Sequence, residues 1–297
     1  MDPTRYKFFF VCGHSRSGTT WLEKVLDLHP RLNCVGEFHL EVVRRGFDEF
    51  VGRRWHLAHA EPMRSIAEEC FAETVRRCLE SVASRKPGAD WIGDRTPRPL
   101  RPLLPGSPHI VMIRDGRDVA ISYMIHQMRT NGLDVRREPF RTMLAEDLRA
   151  LRDDPAVFES DPPRLLRHPE WVRHVARKWG VRCRRDLDTV DRLAQTPERG
   201  RATVVRYEML RAEPDAERSR LYRFLGVSPD EAAPLSPEEG TSAGLAMHDP
   251  GGKARKGIVG DWKNFAVGRA GRRFRRIFKQ EAGDVLIRLG YESDASW

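Results

Sequence analysis

The residues that speak most directly to chemistry stand near the start of the chain, in Gly13-His14-Ser15-Arg16-Ser17-Gly18-Thr19-Thr20. They follow an apolar run over residues 6–12 that reads as a buried strand, and they lead into Trp21-Leu22-Glu23-Lys24-Val25-Leu26, which reads as a helix. A strand that enters a glycine-bearing turn and then opens a helix makes an anion site. Backbone N–H groups converge there, and the helix N-terminus carries partial positive charge. Glycine, four residues, glycine is the spacing of phosphate-binding loops, which continue with a lysine that reaches the β- and γ-phosphates. Here that position is Thr19. The exchange argues against ATP or GTP hydrolysis and for a ligand that presents one phosphate to the loop. Arg16 can supply the missing charge from inside it. Two glycines alone would explain only a tight turn; the flanking strand and helix, two threonines and an internal arginine carry the anion reading.

Two later segments raise the same question. Arg114 closes the apolar run His109-Ile110-Val111-Met112-Ile113, and Ser122 follows eight residues later, two turns into the next helix. In doubly wound sheets ligands bind beside such strand ends. Taken singly, Arg114 would be an ordinary strand-end residue, and Arg117 and Asp118 read as helix capping and surface pairing. The stretch from Gly251 to Phe265 interleaves glycines with Lys253, Arg255, Lys256 and Lys263, and on charge alone reads as a solvated surface loop.

The elements that must position these residues alternate between strands and helices. Residues 6–12, 109–113 and 202–206 read as strands; 64–85, the stretch after Arg114 to about 128, and 170–195 read as helices. The pattern predicts an α/β fold, a parallel sheet flanked by helices. Residues 131–168, rich in Pro, Arg and Asp with weak periodicity, read as an insertion over the sheet. No linker divides the 297 residues, so one domain is expected. Hydrophobic residues at 40% and charged residues at 32% give an ordinary globular composition. The net charge of +9 is carried by 44 arginines against 8 lysines. Most of these arginines fall outside any motif and reflect composition rather than function. No apolar run is long enough to span a membrane, and nothing at the N-terminus resembles a signal peptide. Five scattered cysteines without metal-ligand spacing predict reduced thiols in a cytoplasmic protein and no bound metal.

Taken together, three segments resemble the sulfotransferases that use 3′-phosphoadenosine 5′-phosphosulfate (PAPS). They are Arg16-Ser17-Gly18-Thr19-Thr20-Trp21, the run from Arg114 to Tyr123, and Arg255-Lys256-Gly257 through Gly260-Asp261-Trp262-Lys263-Asn264-Phe265. Arg206-Tyr207-Glu208, Phe224-Leu225-Gly226-Val227 and Leu289-Gly290-Tyr291 add to the match, which runs in family order from residue 8 to about 291. The resemblance implies a phosphate-loop sulfotransferase fold related to nucleotide kinases. It places the 5′-phosphosulfate at Ser15, Arg16, Ser17, Gly18, Thr19 and Thr20, and the 3′-phosphate at Arg114, Ser122, Arg255, Lys256 and Gly257. It sets Trp21 and Tyr207 beside the adenine, although an aromatic at a helix start or strand end is as often core.

The phenol and steroid branch of that family carries a catalytic histidine after a Lys-Thr pair. This chain has Gly93-Asp94-Arg95-Thr96-Pro97-Arg98 there instead. It is closer to the carbohydrate and tyrosyl branches, in which a glutamate downstream of the loop is the base. Glu37, in His29-Pro30-Arg31-Leu32-Asn33-Cys34-Val35-Gly36-Glu37, takes that place, with His39 second, His14 third and Arg95 facing the transferring group. The resemblance therefore implies transfer from PAPS to a small-molecule or glycan acceptor, with release of 3′-phosphoadenosine 5′-phosphate (PAP); residues 38–75 and 125–175 are expected to recognise the acceptor. A nucleotide or small-molecule kinase is the competing reading, opposed by the missing loop lysine. An inactive PAP-binding relative is a further one. Nucleic-acid binding is disfavoured because basic and acidic residues are interspersed and no such motif occurs.

Overall fold

In the computed structural model the described residues are 5–52, 60–196, 201–235 and 257–297. They divide into two compact units, each drawn from separated stretches of chain. The first takes residues 5–14, 18–113 and 186–235, and the second takes 15–17, 114–185 and 257–297, within the described residues.

The first unit is built on a parallel sheet of β1 (Lys7–Gly13), β2 (Leu32–Val35), β3 (Trp91–Arg95), β4 (His109–Ile113) and β5 (Ala202–Arg206), in the order β2-β3-β1-β4-β5. Register sets Val11 beside Arg95, Cys12 beside Val111 and Cys34 beside Gly93. A parallel sheet needs cover on both faces, and β1 is accordingly apolar from Phe8 to Cys12 rather than alternating. The cover comes from α1 (Thr19–Asp27), α2 (Leu40–Gly52) and α3 (Ala60–Glu80), and, after β5, from two helices introduced below. Phe8, Phe10 and Ile92 pack with Phe71, Val75 and Leu79 of α3. His109 belongs to this interior. Its ring stacks on Phe10 at 5.2 Å, and burial pushes its pKa down to about 4, so it is a neutral core residue.

The second unit begins with α4 (Gly116–Arg129). Five short helices follow: α5 (Leu133–Arg136), α6 (Phe140–Met143), α7 (Ala145–Asp153), α8 (Val157–Ser160) and α9 (Pro162–Leu165). The long α10 (Pro169–Gln195) contributes its residues up to 185. Beyond α11 (Tyr207–Ala212) and α12 (Pro214–Leu225), which complete the first unit, α13 (Trp262–Phe265) and α14 (Gly268–Arg288) complete the second. The Trp179 ring lies where a Cβ on Gly116 would be, 2.5 Å away, which lets α10 press on the start of α4. A polar knot adds to this packing. Asp134 accepts from Tyr123 (2.6 Å), Lys178 (2.5 Å) and His174 (3.3 Å). Burial would raise the Asp134 pKa, but those three bonds outweigh it and hold the carboxyl below its ordinary range.

The strands expected at 109–113 and 202–206 are present at those bounds, and that at 6–12 is shifted by one residue. The helices expected over 64–85 and 170–195 run over Ala60–Glu80 and Pro169–Gln195. Residues 131–168 form the five short helices; Pro139 and Pro155 lie between helices, and Pro162 and Pro163 start α9. The pattern missed β2 and β3, whose polar Asn33, Asp94 and Arg95 break the apolar runs. Among the described residues, no helix is long and apolar enough to cross a membrane, and no cluster of His, Cys, Asp and Glu could hold a metal ion.

Gly93 is where the sheet tolerates no side chain: a Cβ there would lie 2.2 Å from Cζ of the fully buried Phe9. Gly93→Ala is expected to destabilise the protein by about 1–3 kcal/mol through overpacking. A lower urea midpoint at unchanged m would record it.

Candidate active site

The loop after β1 needs its two glycines for different reasons. Gly13 has φ 149° and runs against the Met112 carbonyl, 2.4 Å from where a Cβ would stand. Gly18, at φ 97°, caps α1 and lies under the Tyr207 ring, 2.6 Å from its own missing Cβ. Tyr207 in turn meets Trp21 edge to face, with ring centroids 5.4 Å apart. Both rings are buried. The N-cap of α1, Gly18, provides no side-chain cap, and no acid stands in the first turn. The positive end of the helix is left for an anion. Thr19 is buried at this end, Thr20 is exposed, and His14 is buried beside them in sequence.

The first unit also gathers the residues proposed for proton transfer. Arg95, at the end of β3, donates from Nε to Glu23 Oε2 (2.6 Å) and from Nη1 to Glu37 Oε1. Burial disfavours its charge, but Glu23 and Glu37 outweigh that and hold the guanidinium firmly protonated. His39 Nε2 lies 3.3 Å from the second Glu37 oxygen, and His39 Nδ1 lies 3.6 Å from Glu41. Sequence reasoning placed Glu37, His39 and Arg95 in one reaction; the fold brings them into one cluster. It missed Glu23, Glu41 and Asp94, which only the tertiary structure adds. Asp94 is buried and accepts the Phe38 N–H at 3.2 Å and the Thr96 hydroxyl at 3.0 Å. Burial pushes its carboxyl up to about 6, against the lowering effect of those two bonds and of Arg95.

In the second unit the loop residues meet α4. Arg16, in a left-handed conformation at φ 74°, donates from Nε to Ser122 Oγ at 3.2 Å. Ser17 is 1% exposed, and its hydroxyl has no hydrogen-bond partner among the described residues. A buried hydroxyl left unbonded is costly unless a ligand satisfies it. Ser15 is half-buried beside it in sequence. Arg114 is buried and donates to the Ile258 carbonyl at 2.7 Å, with Asp118 3.5 Å away.

Asp118 and Arg117 differ from their expected surface roles. Asp118 is wholly buried and accepts the Gly260 (2.7 Å) and Trp262 (2.9 Å) N–H groups, holding the late segment against α4. Arg117 is buried over the Trp262 ring (4.3 Å to the centroid) and pairs with Asp115 and Glu292. The cap of α4 is Asp115. Both side chains turn inward because the segment after Gly257 supplies N–H donors and an indole that no helix pattern reveals. That segment, from Asp261 to Phe265, is correspondingly more buried than a solvated loop. Gly257 has φ 61°; Arg255 and Lys256 lie outside the described residues.

Comparison with known proteins gives the same direction. The Sulfotransferase family matches residues 9–231. A protein-tyrosine sulfotransferase of Drosophila melanogaster is 24% identical over 185 residues, 56% of this chain and 36% of the relative. Protein-tyrosine sulfotransferase A of Caenorhabditis elegans is 27% identical over 141 residues, 43% of this chain and 36% of the relative. The chain spans about half or less of the length of the curated relatives it matches. Among solved structures, the sulfotransferase domain from the Synechococcus PCC 7002 olefin synthase covers 94% of this chain and 96% of its own, with a TM-score of 0.47 and 14% identity. The mouse sulfotransferase SULT7A1 complexed with PAP covers 96% and 87%, with a TM-score of 0.44 and 17% identity.

Asp94 yields a pH-dependent prediction. Its carboxyl titrates at about 6 in the fold against an ordinary value of 3.8, so folding favours the protonated form. Its contribution to stability is full below about pH 4 and is lost as pH rises through about 6. The lost amount is on the order of 3 kcal/mol. Asp94→Asn removes this titration. Relative to wild type, the variant is expected to gain about that much stability between pH 4 and pH 7 in urea unfolding. An equal difference at both pH values would contradict it.

Proposed function

This chain belongs to the Sulfotransferase family, and we propose that it moves the sulfuryl group of PAPS to a hydroxyl or amine acceptor, releasing PAP. The observation that carries the reading is the loop itself. A buried Ser17 hydroxyl without a partner among the described residues stands beside an arginine bonded to Ser122, on a loop that lacks the lysine of nucleotide hydrolases. These donors suit a single phosphate bearing a leaving group better than a triphosphate.

In this proposal Ser15, Arg16, Ser17, Gly18, Thr19 and Thr20 hold the 5′-phosphosulfate, and Arg114, Ser122, Gly257, Arg255 and Lys256 take the 3′-phosphate. Trp21 and Tyr207 stand on the adenine side. The acceptor oxygen attacks sulfur in line with the departing phosphate oxygen, through a loose anionic transition state resembling that of phosphoryl transfer. As the new S–O bond forms and the bond to the 5′-phosphate breaks, the acceptor proton passes to Glu37. Loop N–H groups and Arg16 stabilise the negative charge collecting on PAP. Arg95, already bonded to Glu37, faces the sulfuryl group, and His39 is the alternative base.

The acceptor proposed is a small molecule or glycan recognised by residues 125–175, within one sulfotransferase domain. The two relatives above act on protein tyrosine by name, which supports a hydroxyl acceptor. All five cysteines are free thiols, and a reducing compartment, the cytoplasm, is the location this supports. The kinase reading is the second choice, and Thr19 at the lysine position weighs against it.

Thermal unfolding tests the proposal. PAP is expected to raise the melting temperature clearly and ATP far less. A shift with ATP and none with PAP would overturn it. Arg114→Ala should weaken PAP by about tenfold to a hundredfold, the worth of hydrogen bonds to a charged group. Glu37→Gln should keep the PAP shift and lose transfer from labelled PAPS across a panel of acceptors.

A further inference from the structure

We propose that Asp94 is a positioning residue for sulfuryl transfer: its buried carboxylate fixes, through the Phe38 N–H, the segment that carries Glu37. The inference rests on Glu37 being the base.

Residues 36–39 join β2 to α2 without regular structure of their own. A segment of this kind, carrying a proton acceptor, has to be fixed from outside to hold reactive geometry. Three contacts fix it here. The Phe38 side chain packs on the cluster formed by Phe8, Phe10, Leu40 and Phe71. The Phe38 N–H donates to Asp94 Oδ1 at 3.2 Å. The Glu37 carboxylate receives the Arg95 guanidinium. The last two come from adjacent residues at the end of one strand, with Asp94 holding the backbone and Arg95 the side chain. Moving one without the other would turn Glu37 about its own Cα.

The Asp94 bond is difficult to replace. The carboxylate is 2% exposed, and the cavity beside it, lined by Thr96, Glu41 and His109 among others, measures about 30 Å³. Among the described residues no cation pairs with Asp94 to compensate its burial, since Arg95 is committed to Glu23 and Glu37. A buried carboxylate kept under these terms, where an apolar side chain would fold more easily, is the kind of local cost that accompanies a working site. Asp94 reaches no reacting atom in this scheme; it acts through Glu37.

The test compares the full-length chain with its Asp94→Ala and Asp94→Asn variants in three measurements. These are the PAP-induced rise in melting temperature, amide exchange at Phe38, and transfer from PAPS labelled in the sulfuryl group to a tyrosine-containing peptide and to a hexose. In Asp94→Ala, exchange at Phe38 should speed up by about tenfold or more. The transfer kcat should fall by about tenfold to a hundredfold, with KM for PAPS and the PAP shift nearly unchanged. Asp94→Asn keeps an oxygen for the Phe38 N–H and should restore both quantities to within about threefold of wild type. Phe38 exchange in Asp94→Ala equal to wild type would overturn the proposal. So would an Asn variant as inactive as Ala with Phe38 still protected. A wild-type chain that ignores PAP would instead overturn the sulfuryl-transfer reading, and the Phe38 comparison would still decide whether Asp94 holds the segment.

Discussion

Parallel strands impose the constraint on which the first unit depends. Because β1, β2, β3, β4 and β5 all run the same way, every strand ends on one edge of the sheet. The interior of such a sheet has no place for unpaired polar groups, so polar side chains collect where the strands run out. Residues that follow the strands then share one edge without being near in sequence. His14 follows β1, Gly36 and Glu37 follow β2, Thr96 follows β3 and Tyr207 follows β5. A hairpin topology would send alternate strand ends to the opposite edge and separate Glu37 from Arg95.

The two units handle buried charge in contrasting ways. In the first, Arg95 lies between two carboxylates, so its charge is matched by side chains at both ends of its guanidinium. In the second, Asp118 is satisfied chiefly by backbone N–H groups of the chain between Gly260 and Trp262, with Arg114 nearby. Burial still holds the Asp118 carboxyl above its ordinary range. Buried ionic groups of this kind add little net stability once desolvation is counted, but each leaves a steep penalty for any arrangement that breaks it. They fix geometry more than they raise stability.

Much of this was readable in the residues. Strands β1, β4 and β5 are short apolar runs, and α10 shows its helical period over 27 residues. The glycine turn after β1 was visible because glycine spacing is a local property, and the family resemblance pointed to Glu37, His39 and Arg95, which the fold brings into one cluster. What escaped is what depends on distant partners. Asp94 and Arg95 break the apolar run of β3, because their side chains answer to Phe38, Glu23 and Glu37 rather than to a strand pattern. Arg117 and Asp118 look like surface residues until Trp262 and Gly260 arrive from more than 140 positions away. Local propensity failed where long-range contacts override it, and several of those places border the candidate site.

The sharing of Arg95 between Glu23 and Glu37 has a consequence for turnover. In the proposed reaction, each time Glu37 carries a proton it becomes neutral and loosens its hold on the guanidinium. Glu23, anchored on α1, keeps its own bond to Nε. The cation therefore has no reason to swing away during the interval in which its other partner is uncharged. In that scheme, when the proton departs, Glu37 returns to a guanidinium already waiting in place, and the next cycle begins without a search through side-chain rotamers.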